Sequence, residues 1–466
     1  MAVARILFTF FVTSCAFPQQ TKYPPTVNLT PDEVANEQNY RQPLRPQFHY
    51  TPIQGHIGDS TGLIYYRGEY HLFNIYDQWS QRRLDHKQWG HAISTDLIHW
   101  VQMPGVLDKL IDNSPGSGSG IVDWNNSSGL RKGPEKTLLI FYTDYKRGTC
   151  IAYSRDRGRT WVRHPKNPVL AGVDDIRDPL VFWYSPADEW RMVRYETKGF
   201  AFYRSRDLVQ WTYLSRMEGF YECPDMLHLP VVNRPGESRW VLVEANGAYY
   251  VGNFDGEKFT PEAEKRRTEY NNALYAGQAW KKTPDGGSPA YYLSWMRYPL
   301  EPRLTWNGQM SFPVELTLRA FADGIRMCRQ PIDEIKNLRI SQDSWRNVDT
   351  LPEIKGELLD IRAELEPVGA TEYGLRVHGQ EIRYVVAESK LRLGTTAAPL
   401  KLADGLLRLR ILMDRSSVEV FADEGQVAIS DVILTPKPDT NVNLIASGGK
   451  VRVRLLEVNY LESIWL

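Results

Sequence analysis

Cysteine is nearly absent, with four residues in 466. Leaving aside Cys15 near the start, only Cys150, Cys223 and Cys328 remain. Three thiols cannot all pair, and their wide spacing makes no CxxC site, so neither a disulfide framework nor a structural zinc is expected, and most should be buried free thiols. Net charge is absent too: Lys plus Arg number 56, as do Asp plus Glu. Without a basic field or an acidic tail, nucleic acid is not an expected partner. The nine His residues are scattered and form no HExxH, so no metal site is expected. Helical periodicity rarely persists beyond a turn or two. The apolar run Ile6 to Val12 is too short to cross a bilayer but suits a signal-peptide core after Arg5.

That run ends in Val12-Thr13-Ser14-Cys15, similar to a bacterial lipobox in which the Cys is lipidated, with a simple cleaved signal as the alternative. Residues 1–19 are therefore read as an export signal, and the protein as periplasmic, surface-anchored through Cys15, or secreted. Residues 20–47 carry five prolines among polar residues and are read as a tether.

Aromatic residues are plentiful, 14 Trp and 25 Tyr among them. Short β-branched and aromatic segments, such as Gly62 to Tyr66, Tyr70 to Ile75, Thr137 to Tyr142 and Trp240 to Val243, are broken by Gly, Asp and Asn at hairpin spacing. Ser94-Thr95-Asp96-Leu97-Ile98-His99-Trp100 returns as Ser205-Arg206-Asp207-Leu208-Val209-Gln210-Trp211. Ser154 to Trp161 is a copy one residue longer, and Asn253-Phe254-Asp255-Gly256 a worn one. A period of about 50 residues fits a propeller blade of a few antiparallel strands. The repeated Asp residues are expected to hold hairpin turns and the Trp residues to pack beneath them. A short helix around Pro331 to Leu338 closes this part, and beyond Val348 period-two segments such as Leu407 to Leu412 and Ser417 to Phe421 read as a β-sandwich. The expected division is a propeller over 48–325, a linker helix over 326–347 and a sandwich over 348–466.

In a propeller, residues at the start of each innermost strand converge on one funnel. Asp59 in Gly58-Asp59-Ser60-Thr61-Gly62, Asp178 in Arg177-Asp178-Pro179 and Glu222 in Glu222-Cys223-Pro224-Asp225 all sit in bends of this kind. These runs, with Trp89 to Trp100, Gly308 to Pro313 and Asp414 to Phe421, resemble glycoside hydrolase family 32, the invertase, inulinase and levanase family.

The resemblance implies a five-bladed β-propeller followed by a β-sandwich, and retaining hydrolysis of β-fructofuranosides in levan, inulin or sucrose without metal or organic cofactor. By the same resemblance Asp59 is the nucleophile, Glu222 the acid/base, and Asp178 with Arg177 the holders of sugar hydroxyls. Ser117, His56 and Trp79 complete the expected substrate-binding set. Crowding by Asp59 and Asp178 is expected to keep Glu222 protonated. Departures from the family pattern fall around the acids: His56 stands for its Trp, Gly58 for its Asn, Ile75 for a sugar-binding Gln, and Gly116 where an aromatic is usual. Two other readings stay open. Ser154 to Trp161 fits the turn box of sialidase propellers, which points to a propeller glycosidase of another sugar, sialic acid or an arabinofuranoside. The altered contacts around the acids also suit a relative that binds sugar without cleaving it.

Overall fold

The computed structural model describes residues 40–80, 86–107, 115–281, 289–435 and 439–465. The export signal, Cys15 and the tether up to residue 39 lie outside them. Five antiparallel sheets form the blades of a propeller. Their innermost strands are Gly55–Tyr66, Pro115–Asp123, Ile176–Tyr184, Asp225–Pro230 and Leu274–Trp280, each followed outward by hairpin-linked partners. The ring is closed by a parallel pairing of Gly55 and His56 with Trp306 and Asn307, so the first blade shares its edge with chain from the fifth.

The run Thr137–Asp144 shows why these strands are apolar without a break. Successive side chains point to opposite faces, and a blade buries both. Leu138 and Ile140 pack with Ile64, Phe73 and Trp89 of the first blade. Leu139 and Phe141 pack with Val181, Trp190 and Met192 of the third. Each such side chain, fully withdrawn from water, contributes about 2 kcal/mol.

The Ser-x-Asp repeats are turns between the third and fourth strands of their blades. Asp96 Oδ1 accepts the backbone N–H of Ile98 and His99 at 2.9 and 2.8 Å, and Asp207 Oδ1 those of Val209 and Gln210 at 2.9 and 2.7 Å. Asp156, in the sialidase-like box, accepts from Arg159 and Thr160 in the same way. All three carboxylates are consumed by their own hairpins, as the repeat implies. The fifth blade carries no copy of the repeat, which is why the repeat alone locates four blades.

The sandwich pairs a six-stranded sheet with a five-stranded one around the core of Leu359, Ile361, Leu375, Ile411 and Val420. Its boundaries differ from the sequence reading. The last propeller strand, Gly324–Pro331, runs past residue 325, the linker helix is a six-residue 3-10 turn, Asp333–Leu338, and the first sandwich strand, Arg339–Val348, occupies the rest of the expected linker. Residues 40–47 are not tether. Tyr40 stacks on Trp465 with centroids 4.0 Å apart, and fully buried Arg45 donates to Thr51 Oγ1 and to the carbonyls of Pro52 and Ile53. The prolines there serve a packed irregular segment, which composition does not distinguish from an extended one.

The two modules are joined by buried polar groups. Asp414 accepts the backbone N–H of Gln47 and Phe48, and His49 lies between Asp414, 2.7 Å away, and Glu419, 2.8 Å away. Burial alone would lower the His49 pKa, but its bonds to the two carboxylates outweigh that and push it up to about 9. The Asp414 to Phe421 run is thus a junction, where the sequence offered no role for its acids.

Candidate active site

Four of the five innermost strands begin irregularly, and the irregularity does the aiming. Pairing registers slip between Ile57 and Ser60, between Gly116 and Gly118, between Arg177 and Leu180, and between Tyr275 and Gln278. Asp59, Ser117, Asp178 and Ala276 lie in these slips. A bulge turns a side chain out of the pleat, here toward the propeller axis. Asp178, Glu222, Cys223 and Ala276 have φ of 58°, 48°, 40° and 48°, a backbone region that non-glycine residues enter at a cost and that gathers at functional sites. Glu222 and Cys223 immediately precede the fourth inner strand.

The three acids predicted from sequence are brought together. Ser117 Oγ donates to Asp59 Oδ2 at 2.7 Å. The Cys223 thiol lies between the two aspartates, 3.7 Å from Asp59 Oδ2 and 3.5 Å from Asp178 Oδ2, and the Cys223 N–H donates to Asp178 at 3.1 Å. Arg177 donates from Nε and Nη2 to Glu222 Oε1, at 2.9 and 2.7 Å, and from Nη1 to Asp175 at 2.6 Å. The Tyr195 ring supports the guanidinium at 4.4 Å. Tyr275 donates to the other oxygen of Glu222.

Charge is distributed differently from the sequence expectation. Asp178 lies within the field of both Asp59 and Glu222, and the Arg177 guanidinium is bonded to Glu222. Asp178, 4% exposed, is pushed up to about 7, first by burial and then by the charge of Asp59. Asp59 is raised as well, by burial foremost, while the Ser117 hydroxyl draws it back. Coupled carboxyl groups titrate as a pair, with apparent pKa values that belong to both. Asp178 is the more enclosed of the two, while Asp59 is partly open to the funnel and bonded to Ser117.

His56 lies beside the cluster on the first inner strand, its ring 6.0 Å from that of Trp295, which in turn stands 6.4 Å edge-on to Tyr275. Trp79 is 68% exposed at the end of the neighbouring strand, fixed through its backbone N–H to Asp77, and the described contacts join it to none of the acids. Ile75 is buried between the first two blades, so it presents nothing to the funnel. Sequence reasoning missed Tyr275, Asp175 and the bridging role of Cys223. Tyr275 belongs to the blade without a repeat, and Asp175 precedes a motif whose charge drew attention to itself. Asp225 is not an alternative acid: 1% exposed, it accepts from Ala279 N–H and pairs with Lys281. Among the described residues, no group of three or more His, Cys, Asp and Glu could hold a metal.

A five-bladed propeller with carboxyl groups converging on its funnel, capped by a sandwich, defines a glycosidase architecture. The chain belongs to glycoside hydrolase family 32: the Glycosyl hydrolases family 32 N-terminal domain matches residues 49–331 and the Glycosyl hydrolases family 32 C terminal matches residues 334–460. It is 35% identical to a levanase of Bacillus subtilis (strain 168), over 93% of this chain and 72% of that one. It is 26% identical to an extracellular exo-inulinase of Aspergillus awamori, over 92% of this chain and 96% of the relative. The crystal structure of exo-inulinase from Aspergillus awamori superimposes with a TM-score of 0.84 at 24% identity, covering 91% of this chain and all of that one, and supports the fold.

Proposed function

We propose that this protein hydrolyses β-fructofuranosidic bonds in fructans or sucrose with retention of configuration, Asp59 attacking the anomeric carbon and Glu222 serving as acid and then base. The observation that carries the reading is the convergence of three carboxyl groups in one funnel: Asp59 bonded to the Ser117 hydroxyl, Asp178 across the Cys223 thiol from it, and Glu222 held between Arg177 and Tyr275. A retaining glycosidase needs one ionised carboxylate at the sugar's anomeric carbon and a proton donor on the leaving oxygen. Protonated Asp178 can donate to a sugar hydroxyl, and Arg177 can do the same from the other side.

Arg177 donates to Glu222 Oε1, and for Glu222 to act as an acid that bond has to yield. Asp175 makes that exchange inexpensive. It retains the guanidinium through Nη1 while Nε and Nη2 turn to the sugar hydroxyls, and Glu222 takes up a proton under the Tyr275 hydroxyl. After the first bond breaks, the same carboxylate removes a proton from water and Asp59 is released. His56 and Trp79 would line the mouth, beyond the first sugar.

The reading is tested by product analysis of purified protein on levan, inulin and sucrose. Release of fructose supports it, and product lengths separate cleavage at chain ends from internal cleavage. Binding of these sugars with no product would make the chain a non-catalytic relative. We also propose export, with Cys15 as a lipidated mature N-terminus. Mass spectrometry of protein expressed in a bacterium checks this, because an unmodified N-terminus beyond residue 15 removes the anchor.

A further inference from the structure

Gly116 precedes Ser117, the partner of Asp59, and its carbonyl is fixed by the Trp89 indole N–H at 3.1 Å. A Cβ on Gly116 would fall 2.7 Å from the hydroxyl oxygen of Tyr145 and 2.8 Å from its ring. Contacts this short force the Tyr145 side chain to move, so it fills the room that a side chain at position 116 would take. The glycine and the tyrosine are one arrangement: Gly116 lies on a strand paired at Thr143 with the strand that leads into the turn carrying Tyr145.

Tyr145 is held in that place although it belongs to a hairpin turn. Buried Asp144, just before it, accepts the Lys146 backbone N–H at 3.0 Å and Arg147 Nε at 2.7 Å, which fixes the turn between Thr137–Asp144 and Gly148–Ser154. The Lys87 ammonium lies 6.0 Å from the ring centroid. The ring is 41% exposed, so its position is not set by burial in a core. Its hydroxyl nevertheless feels the site: enclosure first, and then the charges of Asp178 and Asp59, push its pKa well above the usual phenol value. It therefore stays a hydrogen-bond donor at any working pH. An exposed aromatic face with a permanent donor, beside the two aspartates and given room by a glycine, has the chemistry of a sugar contact: the ring covers C–H faces and the hydroxyl meets a sugar oxygen.

We propose that Tyr145 is a substrate-positioning residue that forms the wall of the sugar pocket beside Asp59, with Gly116 as the gap that admits it. The inference rests on the fructofuranosidase reading. The test is a double-mutant cycle on the full chain, with kcat and KM measured on whichever of levan, inulin and sucrose the wild type cleaves, and Tm recorded for every variant. Tyr145→Ala should lower kcat/KM about tenfold or more, the scale of one lost hydrogen bond plus lost ring contact, with Tm nearly unchanged because the side chain is exposed. Tyr145→Phe, which keeps the wall and loses the donor, should fall less. Gly116→Ala should mimic Tyr145→Ala by displacing an intact tyrosine, and the double variant Gly116→Ala/Tyr145→Ala should be no worse than either single one. Tyr145→Ala within twofold of wild type, or losses that multiply in the double variant, overturns the inference while leaving the enzyme reading in place. A wild type that releases no fructose overturns that reading, and this inference with it.

Discussion

Replacing Asp178 by Asn should change how stability depends on pH, and the size follows from its surroundings. Its folded-state pKa of about 7 lies above the ordinary 3.8, so the folded protein holds a proton that the unfolded chain releases between those values. The stabilisation from that proton is complete below pH 3.8 and is lost as pH rises to about 7. At 1.36 kcal/mol per pH unit the whole window is worth about 4 kcal/mol, and the part between pH 5 and pH 8 about 3 kcal/mol. Asn cannot titrate. Whatever Asp178→Asn costs through its contact with the Cys223 N–H is the same at both pH values. The variant should therefore gain about 3 kcal/mol on wild type between pH 5 and pH 8. Groups remote from the site, His49 among them, are common to both proteins and cancel in the difference, whereas the coupled titration of Asp59 is read together with that of Asp178. Urea unfolding of both proteins at the two pH values, followed by tryptophan fluorescence, measures it. An equal gap between wild type and variant at pH 5 and pH 8 would refute the raised pKa of Asp178.

Other outcomes follow from the same geometry. Glu222→Ala should spare an activated aryl fructofuranoside, whose leaving group needs no proton, and added azide should speed its turnover and give a fructosyl azide of retained configuration. Equal loss on good and poor leaving groups with no azide effect would remove Glu222 from the acid/base role. Lys87 lowers the pKa of Asp59, so Lys87→Met should move the acidic limb of the kcat/KM profile to higher pH, whereas Lys87→Arg should leave it in place. An unmoved limb in Lys87→Met would show that the limb does not report Asp59. Arg45→Ala strands buried carbonyls of Pro52 and Ile53 and removes the cation 4.6 Å from the Trp306 ring, and should cost about 3 kcal/mol in denaturant unfolding. A change below about 1 kcal/mol would mean water replaces the guanidinium.

The sequence made the blades legible where local chemistry repeats. The Ser-x-Asp turn needs its serine and aspartate for its own backbone, so it is legible in three blades and, with Asn253 in place of the serine, in a fourth. The fifth closes the ring by pairing with chain from the other end, a long-range bond that leaves no local mark. Residues 40–47 show the same limit, since proline-rich chain reads alike whether it hangs free or packs on Trp465. At the site, Asp59, Asp178 and Glu222 were visible through their motifs, but the partner of each was not. Tyr275 reaches Glu222 from a strand some fifty positions further on, and Arg177 turns to Glu222 rather than only to its neighbour Asp178. Charge balance inside a funnel depends on such distances, so the expectation that Glu222 bears the crowding could not be checked from order alone.

The central claim is that Asp59 forms a covalent bond with the fructosyl unit. Incubating the Glu222→Ala protein with an activated aryl fructofuranoside, quenching with acid and digesting for mass spectrometry tests it at the atom concerned. The account predicts an adduct of one fructosyl residue on the peptide that contains Asp59, lost when Asp59 is also replaced. An adduct on another side chain, or steady turnover with no adduct at any time point, would contradict it.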